Sequence, residues 1–144
     1  MPTTLRNTDI LFNDGTTQST SATSAGPRAR ITFDGRYGGS LNTYYGVFTP
    51  GAITTIFNSS NVSSVTKNNI GDYTVNFTTA LPDADYTMVG TSNARGNHPV
   101  RGVSLANGAT PAVGSYRVTV GSSGGSGRVG IQEDCERINM AFFR

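Results

Sequence analysis

The 144-residue chain has no tryptophan, one cysteine, one histidine and only 14% charged residues. One lysine, Lys67, stands against ten arginines. A single cysteine cannot close an internal disulfide, so Cys135 is either reduced or paired with another chain. No apolar run approaches the roughly 18 residues a membrane helix needs. The start, Met1-Pro2-Thr3-Thr4-Leu5-Arg6, lacks the apolar core of a secretory signal. The net charge of +2 is too small for a chain kept unfolded by self-repulsion. Its arginines, from Arg6 to Arg144, are spread along the chain and form no basic patch, so no nucleic-acid partner is expected, and no membrane partner either.

What is abundant is small and polar. Ser and Thr together supply 34 residues, Asn 12 and Gly 18. These are poor helix formers, whereas Thr with Tyr, Phe and Val suits strands joined by turns. Strand alternation recurs in Ala29-Arg30-Ile31-Thr32-Phe33, in Asp72-Tyr73-Thr74-Val75-Asn76-Phe77, in Tyr86-Thr87-Met88 and in Tyr116-Arg117-Val118-Thr119-Val120. Further strands are expected around Tyr44–Phe48, Ile53–Ile56, Val62–Val65 and Val100–Leu105. Asn68-Asn69-Ile70-Gly71-Asp72 supplies a hairpin turn. The run Gly121–Gly130 reads as a loop. In the last run Ile138, Met140 and Phe142 share a face, Phe143 takes the other, and the strand is expected to be central. The pattern predicts an all-β fold: an antiparallel β-sandwich, jelly-roll-like, of about eight strands over residues 30–144. Residues 1–29 form an extended N-terminal arm whose tract Thr16–Gly26 reads as a linker. Free arms of this composition fray, so this one is expected to be held by another chain.

Catalytic chemistry needs convergent ionisable groups, and few are offered. His98 is the lone imidazole, in a turn. Asp83 and Asp85 are spaced for one face, as glycoside-cleaving carboxylates require, but read better as a turn capping the next strand. Glu133-Asp134-Cys135-Glu136 is the densest acidic cluster. It offers a cation site or partners for arginines, and reads first as a solvated loop. Asn58, Asn61 and Asn76 match the glycosylation pattern, which chance produces in such a composition. The expectation is a non-enzyme with no cofactor and no metal. Tyr37, Tyr44 and Tyr45 are candidates for contact with host glycans, with sandwich core as the favoured alternative.

Two stretches carry a resemblance. Ile10-Leu11-Phe12-Asn13-Asp14-Gly15-Thr16-Thr17-Gln18-Ser19 resembles a recurrent I-x-F-x-D-G-T-x-Q element of bacteriophage tail fibres and related virion proteins. Asn61–Thr66, Gly71–Thr78, Ala80–Asp83 and Tyr86 resemble a strand–hairpin–strand signature of phage and cyanophage tail-fibre and head-decoration proteins. The resemblance implies a β-sandwich that assembles as a homotrimer on a virion, built in the host cytoplasm, without cofactor or catalytic residues. The first element begins close to Met1, which argues for a capsid decoration (cement) protein bound to the major capsid protein or other virion proteins. Ile10, Leu11, Phe12, Asp14, Gly15 and Gln18 would then be the arm contacts with shell or neighbour. The alternative is a tail-fibre or tailspike tip that binds a host receptor or surface glycan.

Overall fold

A computed structural model describes residues 10–11, 17–18, 26–42, 47–93, 101–122 and 131–144. In chain order its strands are β1 (Ile10–Leu11), β2 (Thr17–Gln18), β3 (Ala29–Phe33), β4 (Ser40–Asn42), β5 (Val47–Thr49), β6 (Gly51–Ala52), β7 (Ile56–Ser60), β8 (Val62–Asn69), β9 (Asp72–Phe77), β10 (Thr87–Ser92), β11 (Gly102–Leu105), β12 (Ser115–Ser122), β13 (Ile131–Gln132) and β14 (Ile138–Phe143). Eight of them have four or more residues. All the pairings are antiparallel, and the architecture is an all-β sandwich.

One sheet has the order β10-β14-β3-β7, the other β11-β12-β9-β8-β6 with β13 beside β12. The period-two pattern explains how they close on each other. Ile31, Phe33, Ile138, Met140 and Phe142 point inward from the first sheet; Val65, Tyr73, Val75, Phe77, Val118 and Val120 point inward from the second. Aromatic rings stitch the layers: Phe33 meets Tyr73 edge-on at 5.3 Å, and Phe77 meets Phe142 at 5.0 Å. The C-terminal strand is central, held by β10 on one side and β3 on the other. Phe143, on its outer side, is exposed, as alternation requires.

The β8–β9 hairpin forms where its sequence points. Asn69 faces Asp72, leaving Ile70-Gly71 as the turn. Gly71 has φ +63°, and a Cβ there would lie about 2.5 Å from the Glu133 nitrogen and the Val120 carbonyl, so only glycine fits. Gly90 has a packing reason: a Cβ would lie 2.8 Å from Val103, where the edge strands β10 and β11 of the two sheets meet.

Several expectations shift. Ile53 is buried but precedes β7, while Ile56 is exposed at the start of that edge strand. Gly121 and Ser122 are not loop; they extend β12 and pair with Gln132 and Ile131. The first long strand spans Ala29–Phe33, as its alternation predicts, and takes in one residue assigned above to the arm; ahead of it the Arg28 N–H bonds to the Phe142 carbonyl. Val100 lies outside the described residues. The Ser, Thr and Asn that suggested turns also cover the outer sheet faces. Thr91, Asn139, Thr32 and Asn58 stand in one row across the first sheet, with hydrogen bonds of 3.0 Å from Thr32 to Asn139 and 3.3 Å from Asn139 to Thr91. On the second sheet Ser64, Asn76 and Ser115 form one row and Thr66, Thr74 and Arg117 the next.

Candidate functional site

The segment Glu133–Glu136 leads into β14 at one end of the sandwich, and its acids are paired rather than merely solvated, although the Glu136 side chain stays half exposed. Each finds a base brought from far along the chain. Asp134 bonds Lys67 at 2.6 Å, Glu136 bonds Arg36 at 2.8 Å, and Glu133 pairs with Arg101. Arg36 also takes Asp34 in a two-pronged contact at 3.0 and 2.8 Å. Cys135, between them, points inward and is fully buried as a free thiol. Burial pushes that thiol above its usual range. A thiol with no exposed surface is not placed to bridge to another chain, which overturns that option.

Asp83 and Asp85 do not form a facing pair of free carboxylates. The Asp83 carboxylate accepts the Asp85 backbone N–H at 2.9 Å and a bond from Arg144 Nε at 2.8 Å. It is the strand-capping turn, pinned to the C-terminal residue. Six of the seven Asp and Glu side chains among the described residues are held by cations; Asp85 is the exception. Among the described residues no group of three His, Cys, Asp or Glu is placed to hold a metal.

Next to this network lies a surface with exposed aromatic rings. Tyr37 is 52% exposed and Phe57 49%, so Tyr37 is not core, against the favoured reading. Arg36 lies over the Tyr37 ring at 5.3 Å and Arg137 over Phe57 at 4.7 Å. Asp34, Arg36, Phe57, Asn93, Glu136 and Arg137 line an open hollow of about 350 Å³. Exposed aromatics with arginine are the composition that binding surfaces favour. Sequence reading missed Phe57 and Arg137. The one available signal was Phe57 directly after Ile56, a pair that breaks alternation. Tyr44, Tyr45 and His98 lie outside the described residues.

The arm motif folds on itself. Ile10 pairs with Gln18 and Leu11 with Thr17, so β1 and β2 form their own two-stranded sheet. Phe12, Asp14 and Gly15 lie between them, outside the described residues. The glycosylation pattern at Asn61 has a structural use instead. Asn61 has φ 53°; its amide donates to the carbonyls of Arg28 and Thr79, and its Oδ1 accepts the Thr79 N–H at 2.7 Å.

These ion pairs set a pH dependence. The Arg36 guanidinium holds Asp34 below the usual carboxylate range, as Arg144 does for Asp83. For Asp72, burial pushes up, but bonds from Arg117 and Asn68 outweigh it and the net direction is down. A carboxyl lowered on folding binds more protons when unfolded. Its stabilisation is therefore complete above the ordinary value, about pH 4, and lost as pH falls through the lower folded one. Burial acts oppositely on the tyrosines. Tyr86 is pushed up to about 12, and Tyr73 and Tyr116 also rise. Their contribution is complete below about pH 10 and lost as pH rises. Urea midpoints measured from pH 2 to 12 should show a plateau falling off below about 4 and above about 10. A midpoint that held steady from pH 7 to 2 would contradict the carboxylate assignments.

No family model, curated protein or solved structure matches the chain.

Proposed function

We propose that the chain is a structural protein of a phage virion: a trimeric decoration protein that stabilises the head shell. The observation that carries this reading is the β1–β2 hairpin. Among the described residues it pairs with neither large sheet of the sandwich, as is also true of the β4–β5 pair, so its outer backbone edges are available to something else. A strand pair outside the ladders of its own sandwich suits docking onto a capsid subunit or a neighbouring copy. The second motif supports the same reading, since its residues form the β8–β9 hairpin at the centre of one sheet. Exposed Phe143 and Val89, on the outer face of the first sheet, would gain from cover in an assembly. A trimer matches the three-fold positions of a shell. Many copies would add by avidity what each contact lacks.

A second reading, a fibre tip that binds host glycan, is favoured by one observation. Tyr37 and Phe57 present exposed rings beside a polar hollow, an arrangement on which sugars stack.

Light scattering on the purified protein is expected to give a mass near three times 15.1 kDa. A monomer mass would remove the trimer. Immunogold labelling of purified virions is expected to decorate heads; label confined to tails would replace the first reading with the second.

A further inference from the structure

We propose that Lys67 and Asp134 condense to an isopeptide bond that ties β8 covalently to the segment leading into β14. Lys67 is the only lysine of the chain, and its side chain is 4% exposed. Its Nζ lies 2.6 Å from Asp134 Oδ2, and it sits over the Phe48 ring at 5.7 Å. Lysine is a strongly hydrated cation that usually stays at the surface. Here it is aimed at one carboxylate from an apolar wall.

The surroundings supply what amide formation requires. The other carboxylate oxygen, Asp134 Oδ1, accepts the Gly71 N–H at 2.9 Å and the Tyr73 O–H at 2.7 Å, the shorter of that hydroxyl's two contacts, the other being the Gly35 carbonyl at 3.0 Å. Two donors on the oxygen that does not leave form an oxyanion-stabilising pair. The Arg36 carbonyl accepts from Nζ at 3.2 Å and fixes the direction of the amine. Tyr73 is wholly buried and Gly71 is fixed by its turn, so these donors are held in place before reaction.

The step balances without a co-reactant. A proton passes from the Lys67 ammonium to Asp134 Oδ2 along their hydrogen bond, which leaves a neutral amine beside a neutral acid. The Nζ lone pair attacks Cγ, and charge develops on Oδ1 against Gly71 N–H and Tyr73 O–H. The Nζ–Cγ bond is retained as the Cγ–Oδ2 bond breaks, and Oδ2 departs with a second amine proton as water. Two buried charges become one amide. Holding the groups in contact replaces a bimolecular encounter, an advantage worth effective molarities of roughly 10⁵–10⁸ M in well-oriented cases. A salt bridge alone would also explain the contact, so the mass of the wild-type chain decides between the two.

The bond would form in a single chain and needs no partner, so its fate is separate from the assembly reading. Intact-mass measurement on the denatured full-length protein is expected to fall below the sequence mass by one water. Trypsin should fail to cut after Lys67 and should release residues 37–95 joined to residues 129–137. The Lys67→Arg variant, which keeps the charge but cannot condense in this way, should show no water loss. Full sequence mass for the wild type, with separate peptides 37–67 and 68–95, would overturn the proposal. That result would leave an ordinary buried ion pair. Because the wild type itself decides, the outcome does not depend on the variant folding.

Discussion

Replacing Phe142 by alanine is expected to cost about 3–5 kcal/mol of folding stability. Phe142 is fully buried on the central strand β14. Its ring lies 5.0 Å from Phe77, 5.9 Å from Tyr86 and 5.5 Å from Tyr116, each packed edge-on. These four rings come from both sheets and from the segment entering β10, so removing Phe142 opens a void that no single neighbour can fill. Phe142→Leu keeps part of the volume and should cost less. The next residue is the control: Phe143 faces outward and is 39% exposed. Phe143→Ala should stay within about 0.5 kcal/mol in the isolated protein. Urea unfolding of the three variants measures all of this. Equal losses at 142 and 143 would mean that the inward face of β14 is misassigned.

Glu133→Gln is expected to destabilise strongly, and Arg101→Met is not. The Arg101 side chain is 1% exposed and is paired with Glu133. Its Nε and Nη1 atoms are buried and find no hydrogen-bond partner among the described residues. A buried cation stripped of its counter-charge costs about 3–5 kcal/mol, and the lower end applies because Glu133 is 27% exposed and water screens it. Replacing the cation with an apolar side chain of similar length removes two unmet donors along with the charge. Such replacements range from neutral to stabilising by about 1–4 kcal/mol. The double variant should therefore recover most of what Glu133→Gln loses. A four-member cycle of denaturation curves gives the coupling. If Arg101→Met proved as damaging as Glu133→Gln, the two nitrogens must have partners in solution.

Much of the fold was legible because alternation is a local property. Tyr73, Val75 and Phe77 announce an inward face in six consecutive residues, and the structure buries all three. Ile70-Gly71 announces its turn because only glycine accepts the backbone angle. The candidate surface was far less legible. Phe57 and Arg137 stack only because β7 starts on the side of the sandwich where the segment before β14 ends, and the residues are 80 apart. Tyr37 looked like core because an aromatic in a Gly-rich turn carries no sign of which way it points. The acidic run Glu133–Glu136 read as solvated because its partners Arg101, Lys67 and Arg36 lie 32 to 100 residues away.

By itself the sequence determined the fold class, the inward residues of the long strands, the β8–β9 hairpin and the central, two-faced C-terminal strand. Each follows from period-two chemistry that neighbouring residues decide among themselves. The tertiary structure alone decided which charges meet, which aromatics stay outside, and that the abundant Ser, Thr and Asn sheathe the sheets as well as form turns. These depend on strand order and on the meeting of chain-distant loops. A single lysine, first only a count, became the partner of one carboxylate because β8 and the entry to β14 converge there.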